Sequence, residues 1–216
     1  MVTSPILAPL VSHKAADARD GNTLYTKLGR HADQFAAFLT FAALDPGETF
    51  TRKELALATR ALPIEGLAEI AQTLVRALEA AGEQRMEYYR NRVLPYLKLI
   101  LPESQEISSP AISEIFARLC VAAREAFPEA FDRLRHWLKP LDHPDYLIDQ
   151  FAKSSSCRGF PDDALAFLQA VISDNAHWLP QELRHCLDEI QQAKPRLATD
   201  ERYRRLDELM RLRGIS

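Results

Sequence analysis

Glycine is scarce in this chain, with 7 in 216 residues against 13 prolines. Asn-Gly and Asp-Gly pairs flanked by alternating apolar residues, the usual mark of a β-hairpin, are almost missing. Asp20-Gly21 is followed by Asn-Thr-Leu-Tyr-Thr-Lys-Leu, which reads as a helix entry. No stretch sustains a period of two. These absences exclude a β-rich fold and leave an all-α one.

Cysteine is scarce too. Cys120, Cys157 and Cys186 are odd in number and widely spaced, which excludes a disulfide framework and fits a reducing compartment. No apolar run reaches the roughly 18 residues that a membrane span needs. The opening, MVTSPILAPLVSHKAADARD, lacks the basic start and long apolar core of a signal peptide. A cytoplasmic chain with no membrane partner is expected. Lys+Arg 27 against Asp+Glu 30 gives a net charge of −3, so no global field attracts nucleic acid or anionic lipid. A local basic face is still allowed.

Signatures of catalysis are missing as well. None of the six histidines sits in a His-Glu-x-x-His helix face, no Cys-x-x-Cys occurs, and no Gly-rich loop ends in Lys-Ser/Thr. No cofactor and no metal are expected, and the chain reads as non-enzymatic.

What is present is a train of amphipathic helices. The segment 84–101, QRMEYYRNRVLPYLKLIL, organises the rest. Met86, Tyr89, Val93, Tyr96, Leu97 and Ile100 recur at steps of three and four, which puts them on one helical face. Pro95 lies inside that pattern, removes a backbone donor and predicts a kink or two helices meeting end to end. Upstream, Phe35, Phe38, Leu39 and Ala42 predict the stripe of a helix over 31–44. Thr51-Arg52-Lys53-Glu54 is a capping box, with Phe50 and Leu55 placed for a hydrophobic staple. The helix it starts and a second over 64–81, closed by Gly82, are expected to form a tight hairpin.

Downstream, helix starts fall near residues 110, 128, 144, 161, 180 and 200, most of them at a proline. Pairs of helices then make units of roughly 33 to 39 residues, the length of helical-hairpin repeats. Phe127-Pro128-Glu129-Ala130 and Phe160-Pro161-Asp162-Asp163 echo one another, and Leu134 and Leu138 match Phe167 and Val171. The expected architecture is stacked helical hairpins, either a HEAT-like α-solenoid or an irregular bundle. An N-terminal subdomain over 1–82 and a helical-repeat region over 83–216 are expected.

The run YYRNRVLPYLKLILP, then SPAISEIFARLCVAAREAFPEAF, GFPDDALAFLQAVI, LPQELRHCLDEI and KPRLATDERYRRLDEL, resembles the helical C-terminal regions of some large bacterial proteins. Some of those belong to suspected antiphage defence systems, and their tails are similar to HEAT-type solenoids. The resemblance covers about 84–213 and consists of helix starts and core positions. It implies a fragment or subunit of a larger bacterial defence-type assembly whose NTPase or effector lies elsewhere.

Each candidate site weighs against a plainer reading. Cys120 and Cys186 extend apolar stripes and read as core. Cys157, in KSSSCRG, reads as a loop residue, and a nucleophile there would need His143 or His177 as base. Asp142, Asp145 and Asp149 around His143 read as helix-dipole and surface charges. Arginines of the last helix, Arg202, Arg204, Arg205, Arg211 and Arg213, are nearly balanced by acids, with Glu208 placed to pair with Arg204 and Arg211. Trp178 lies in a polar-flanked segment and is the aromatic best placed to anchor a partner. The leading expectation is a module for protein–protein interaction or assembly, with self-association as one form of it. The alternative is a nucleic-acid-binding domain using Arg85, Arg90, Arg92 and Lys98.

Overall fold

The structure is a computed structural model and describes residues 31–45, 51–60, 62, 64–101, 110–176 and 178–214. All regular elements among them are helical, and the only ladder-type contact is one isolated parallel bridge between Leu141 and Ile172. The all-α expectation holds. The order is α1 (Ala32–Leu44), α2 (Arg52–Arg60), α3 (Ile64–Ala80), α4 (Arg85–Tyr88), α5 (Leu94–Ile100), α6 (Pro110–Ala122), α7 (Phe127–Leu134), α8 (Asp145–Ala152), α9 (Ser156–Gly159), α10 (Pro161–Val171), α11 (Glu182–Ala193) and α12 (Glu201–Leu212). Six of these begin within two residues of the starts expected near 110, 128, 144, 161, 180 and 200.

Contacts group the chain into two compact units, 1–77 with 90–105, and 78–89 with 106–216. The boundary is crossed in the last turn of α3 and again within 84–101, whereas the sequence expectation placed a single cut at 82.

In the first unit, α2 packs on α1 and on α5. The capping box forms as expected. The Thr51 amide donates to Glu54 Oε2 at 2.8 Å, and the Glu54 amide donates to Thr51 Oγ1 at 3.3 Å. The bond from the Thr51 amide, then that from its hydroxyl, holds the Glu54 carboxyl below its usual range. Phe50, the other half of the staple, lies outside the described residues. The expected hairpin of α2 on α3 is not the main packing of α2 among the described residues. Its buried residues Leu55, Ala56 and Thr59 turn elsewhere, and the Thr59 hydroxyl shares a 2.8 Å hydrogen bond with Tyr96 Oη of α5.

The stripe expected on α1 is also corrected. Ala32, Ala36, Leu39, Thr40, Ala43 and Leu44 are buried, while Phe38 is 44% and Phe41 53% exposed. From Phe35 to Leu44 the only polar side chain is Thr40, so periodicity gives a weak choice of buried face. The small side chains Ala36 and Ala43, both fully buried, let a neighbouring backbone approach closely.

The segment 84–101 is helical throughout but not uniform. Tyr89–Val93 forms a π turn between α4 and α5, and Pro95 sits in the first turn of α5. Widening the helix just before a proline relieves the clash of its ring with the preceding turn. Tyr89, Val93, Tyr96, Leu97 and Ile100 are buried as expected, but Met86 is not.

The second unit is built in two rows. Helices α6, α8 and α11 pack successively, and so do α7, α10 and α12. Cross-packing of α6 on α7, α10 on α11 and α11 on α12 ties the rows together. An aromatic cluster sits between them. Phe127 lies 5.4 Å from Phe167 edge-on and 5.2 Å from Phe151, and Phe151 lies 4.8 Å from Phe167. All three are fully buried. The two echoed Phe-Pro steps meet here, with Phe160 6.4 Å from Phe127. Their matched positions Leu134, Leu138, Phe167 and Val171 are all buried.

Candidate functional site

Trp178 stands in the connection from α10 to α11. Ile172 leaves α10 in an extended conformation, and the Leu141 amide donates to the neighbouring Val171 carbonyl at 2.9 Å. Arg205 of α12 donates through Nη2 to the Ile172 carbonyl at 2.9 Å and through Nε to the Asp174 carboxylate. Ala176 and Leu179 are buried at 5% and 2% exposure, and Pro180 is buried. Between these buried flanks Trp178 stands outside, 57% exposed. The other tryptophan, Trp137, is 3% exposed and packs edge-on against Phe116 at 5.6 Å. A large amphipathic indole standing in water between buried residues is the type of side chain that anchors a binding partner.

On α8, Tyr146 is 59% exposed, while Leu147, Ile148 and Phe151 are buried. Tyr146 shares a helical face with Gln150 rather than with Phe151. The Arg118 guanidinium lies 5.4 Å from the centre of its ring, a cation–π contact.

The four basic residues singled out in 84–101 are divided between the units, Arg85 in one and Arg90, Arg92 and Lys98 in the other. Arg85 Nε donates to the Leu78 carbonyl at 2.8 Å, so it caps the end of α3. Arg92 donates to the Leu44 carbonyl at 3.1 Å and to Asp45 at 2.8 Å, while Arg52 donates to the Ala43 carbonyl at 3.0 Å. Both guanidinium groups therefore sit at the negative end of α1, where the helix dipole favours cations. Arg90 and Lys98 are exposed.

Arg202, Arg205 and Arg211 of α12 are ion-paired, though not through Glu208. Asp207 receives Arg184 and Arg211, each at 2.8 Å. Arg202 grips Asp200 with two bonds while Asp200 caps α12 through the Arg202 amide. The Arg202 side chain, followed by its amide, holds the Asp200 carboxyl down to about 2.

The loop expected at KSSSCRG is in fact a turn of helix, α9. Ser155 enters it in the left-handed region at φ 60°, and Ser154 Oγ donates to the Phe151 carbonyl at 2.6 Å. Cys157 is fully buried rather than exposed, as are Cys120 and Cys186. The adjoining Cys186 thiol, then burial and the Glu189 charge, push the Cys157 thiol well above its ordinary range. A thiol so held is protonated at neutral pH and is a poor nucleophile. His143 is exposed and His177 lies outside the described residues. Asp149 pairs with Lys153 at 2.7 Å. Among the described residues no group of three His, Cys, Asp or Glu is placed to hold a metal ion, and no helix is long and apolar enough to cross a membrane.

No family model, curated protein or solved structure matches this chain.

Proposed function

We propose that the chain is a non-enzymatic helical-repeat module that binds another protein, or another part of a larger assembly, with Trp178 as an anchor. The observation that carries this reading is the contrast between a half-exposed indole and three cysteine thiols that are all buried. The two-row order of α6 to α12 supports a stacked-hairpin scaffold, whose surface offers shape rather than reactive chemistry. The resemblance to helical tails of large bacterial proteins supports work inside a larger defence-type complex. Use of Arg85 and Arg92 as helix caps weighs against a phosphate-binding face.

The test is affinity capture of the full chain from source cells, with wild type and Trp178→Ala side by side, followed by native mass measurement. A defined protein partner or self-assembly that the substitution removes supports the reading. A chain that stays monomeric and captures nothing contradicts it. So does retention on nucleic acid that weakens steeply with salt, because released counterions would then be driving binding.

A further inference from the structure

Two cysteines that lie 29 residues apart in sequence are brought together in the second unit. Cys157 is on α9 and Cys186 on α11, these two helices pack on one another, and both side chains are fully buried. Their thiols adjoin, and Glu189, one turn along α11 from Cys186, is near enough for its charge to bear on the Cys157 thiol. One carboxylate oxygen of Glu189 is buried without a hydrogen-bond partner. Cys120 is on α6 and takes no part.

Access to this pair is governed by a weak element. Helix α9 is a single turn of four residues, and its entry at Ser155 carries a positive φ that a side chain rarely adopts. Short elements of this kind open locally at lower cost than the helices around them. Burial keeps the thiols unreactive in the closed structure, and Cys157 rides on the short element itself.

We propose that Cys157 and Cys186 are a redox-modification site, oxidised by a hydroperoxide to a disulfide that staples α9 to α11 across α10. One thiol sulfur attacks the peroxide, an S–O bond forms, the O–O bond breaks and the leaving hydroxide departs as water with the thiol proton. The second sulfur then displaces the hydroxyl of that sulfenic acid, again as water. Two thiols and one hydrogen peroxide give one disulfide and two waters. A small thiol reductant reverses the crosslink by exchange. In a reducing compartment the pair rests as thiols, and the crosslink reports oxidation.

The experiment uses the full chain, reduced, folded and exposed to hydrogen peroxide, then alkylated after unfolding and weighed intact. The expected product has lost two hydrogen atoms, retains one alkylatable cysteine, and yields a single linked peptide pair joining Cys157 to Cys186. Cys120→Ser leaves the crosslink intact, whereas Cys157→Ser and Cys186→Ser abolish it. The crosslinked chain also unfolds at higher temperature than the reduced one. Three free thiols after treatment, or mass gains from sulfinic or sulfonic acid without a linked pair, would overturn the proposal. This outcome is independent of whether Trp178 binds a partner.

Discussion

The two units use the phenylalanines Phe38 and Phe41 on one side, and Phe127, Phe151 and Phe167 on the other, in opposite ways. In the second, Phe127, Phe151 and Phe167 meet at ring separations of 4.8 to 5.4 Å with no exposure. In the first, Phe38 and Phe41 of α1 are exposed while alanines fill the buried side of that helix. A large side chain in a layered interior supplies most of the local burial energy, whereas a large side chain left in water supplies little. The same residue type therefore marks the core in one unit and surface in the other.

The largest expected effect tests the first half of that contrast. Phe127→Ala leaves a cavity at the meeting point of both rows and should cost about 3–5 kcal/mol. Denaturant unfolding measures the loss, and amide exchange should place it in 106–216. Phe38→Ala and Phe41→Ala, by comparison, should change stability by no more than about 0.5 kcal/mol, as exposed substitutions do. A Phe38→Ala cost equal to that of Phe127→Ala would erase the distinction.

An intermediate effect is expected at the polar contact buried in the first unit. Tyr96→Phe leaves the Thr59 hydroxyl without that partner, although it still donates to the Leu55 carbonyl at 2.8 Å, and should cost about 1 kcal/mol. Burial pushes the Tyr96 phenol up to about 12 from an ordinary 10.0. The folded state then favours the neutral ring. Its contribution is complete below pH 10 and is lost as pH rises through about 12. The alkaline limb of a stability–pH curve should flatten in Tyr96→Phe.

A comparable loss is expected at Asp200, the N-cap of α12. Asp200→Ala should cost about 1 kcal/mol. The wild-type carboxyl is depressed from 3.8 to about 2. Its contribution is present above pH 4 and disappears as pH falls toward about 2, so Asp200→Ala should show a smaller acid-side slope in thermal unfolding. The smallest loss among the polar contacts belongs to Arg92→Ala, whose pair with Asp45 is exposed on both sides. A loss below about 1 kcal/mol is expected.

These contrasts also show where sequence was informative. Proline-led starts, the capping box and the Phe-Pro echo were legible because each reflects a local constraint, a fixed φ or a reciprocal pair of bonds. The buried face of α1 was not legible, because from Phe35 to Leu44 only Thr40 is polar and apolar side chains point in every direction. The burial of Cys157 was not legible either. Three serines suggest a loop, but here Ser154 and Ser155 turn the chain into a single helical turn that points the thiol inward. Proximity of Cys157 to Cys186 is a tertiary fact with no trace in local spacing. The exposure of Trp178 was legible from its polar flanks, while the burial of Ala176 and Leu179 and the Arg205 bond to the Ile172 carbonyl required the structure.

Buried phenylalanines hold stability in the second unit, whereas recognition is the role proposed for Trp178. The most direct measurement is the equilibrium unfolding and partner capture of Trp178→Ala on the same preparation. The predicted result is stability within about 0.5 kcal/mol of wild type together with loss of the captured partner or self-assembly. Full retention of that binding by a stably folded Trp178→Ala chain would contradict it.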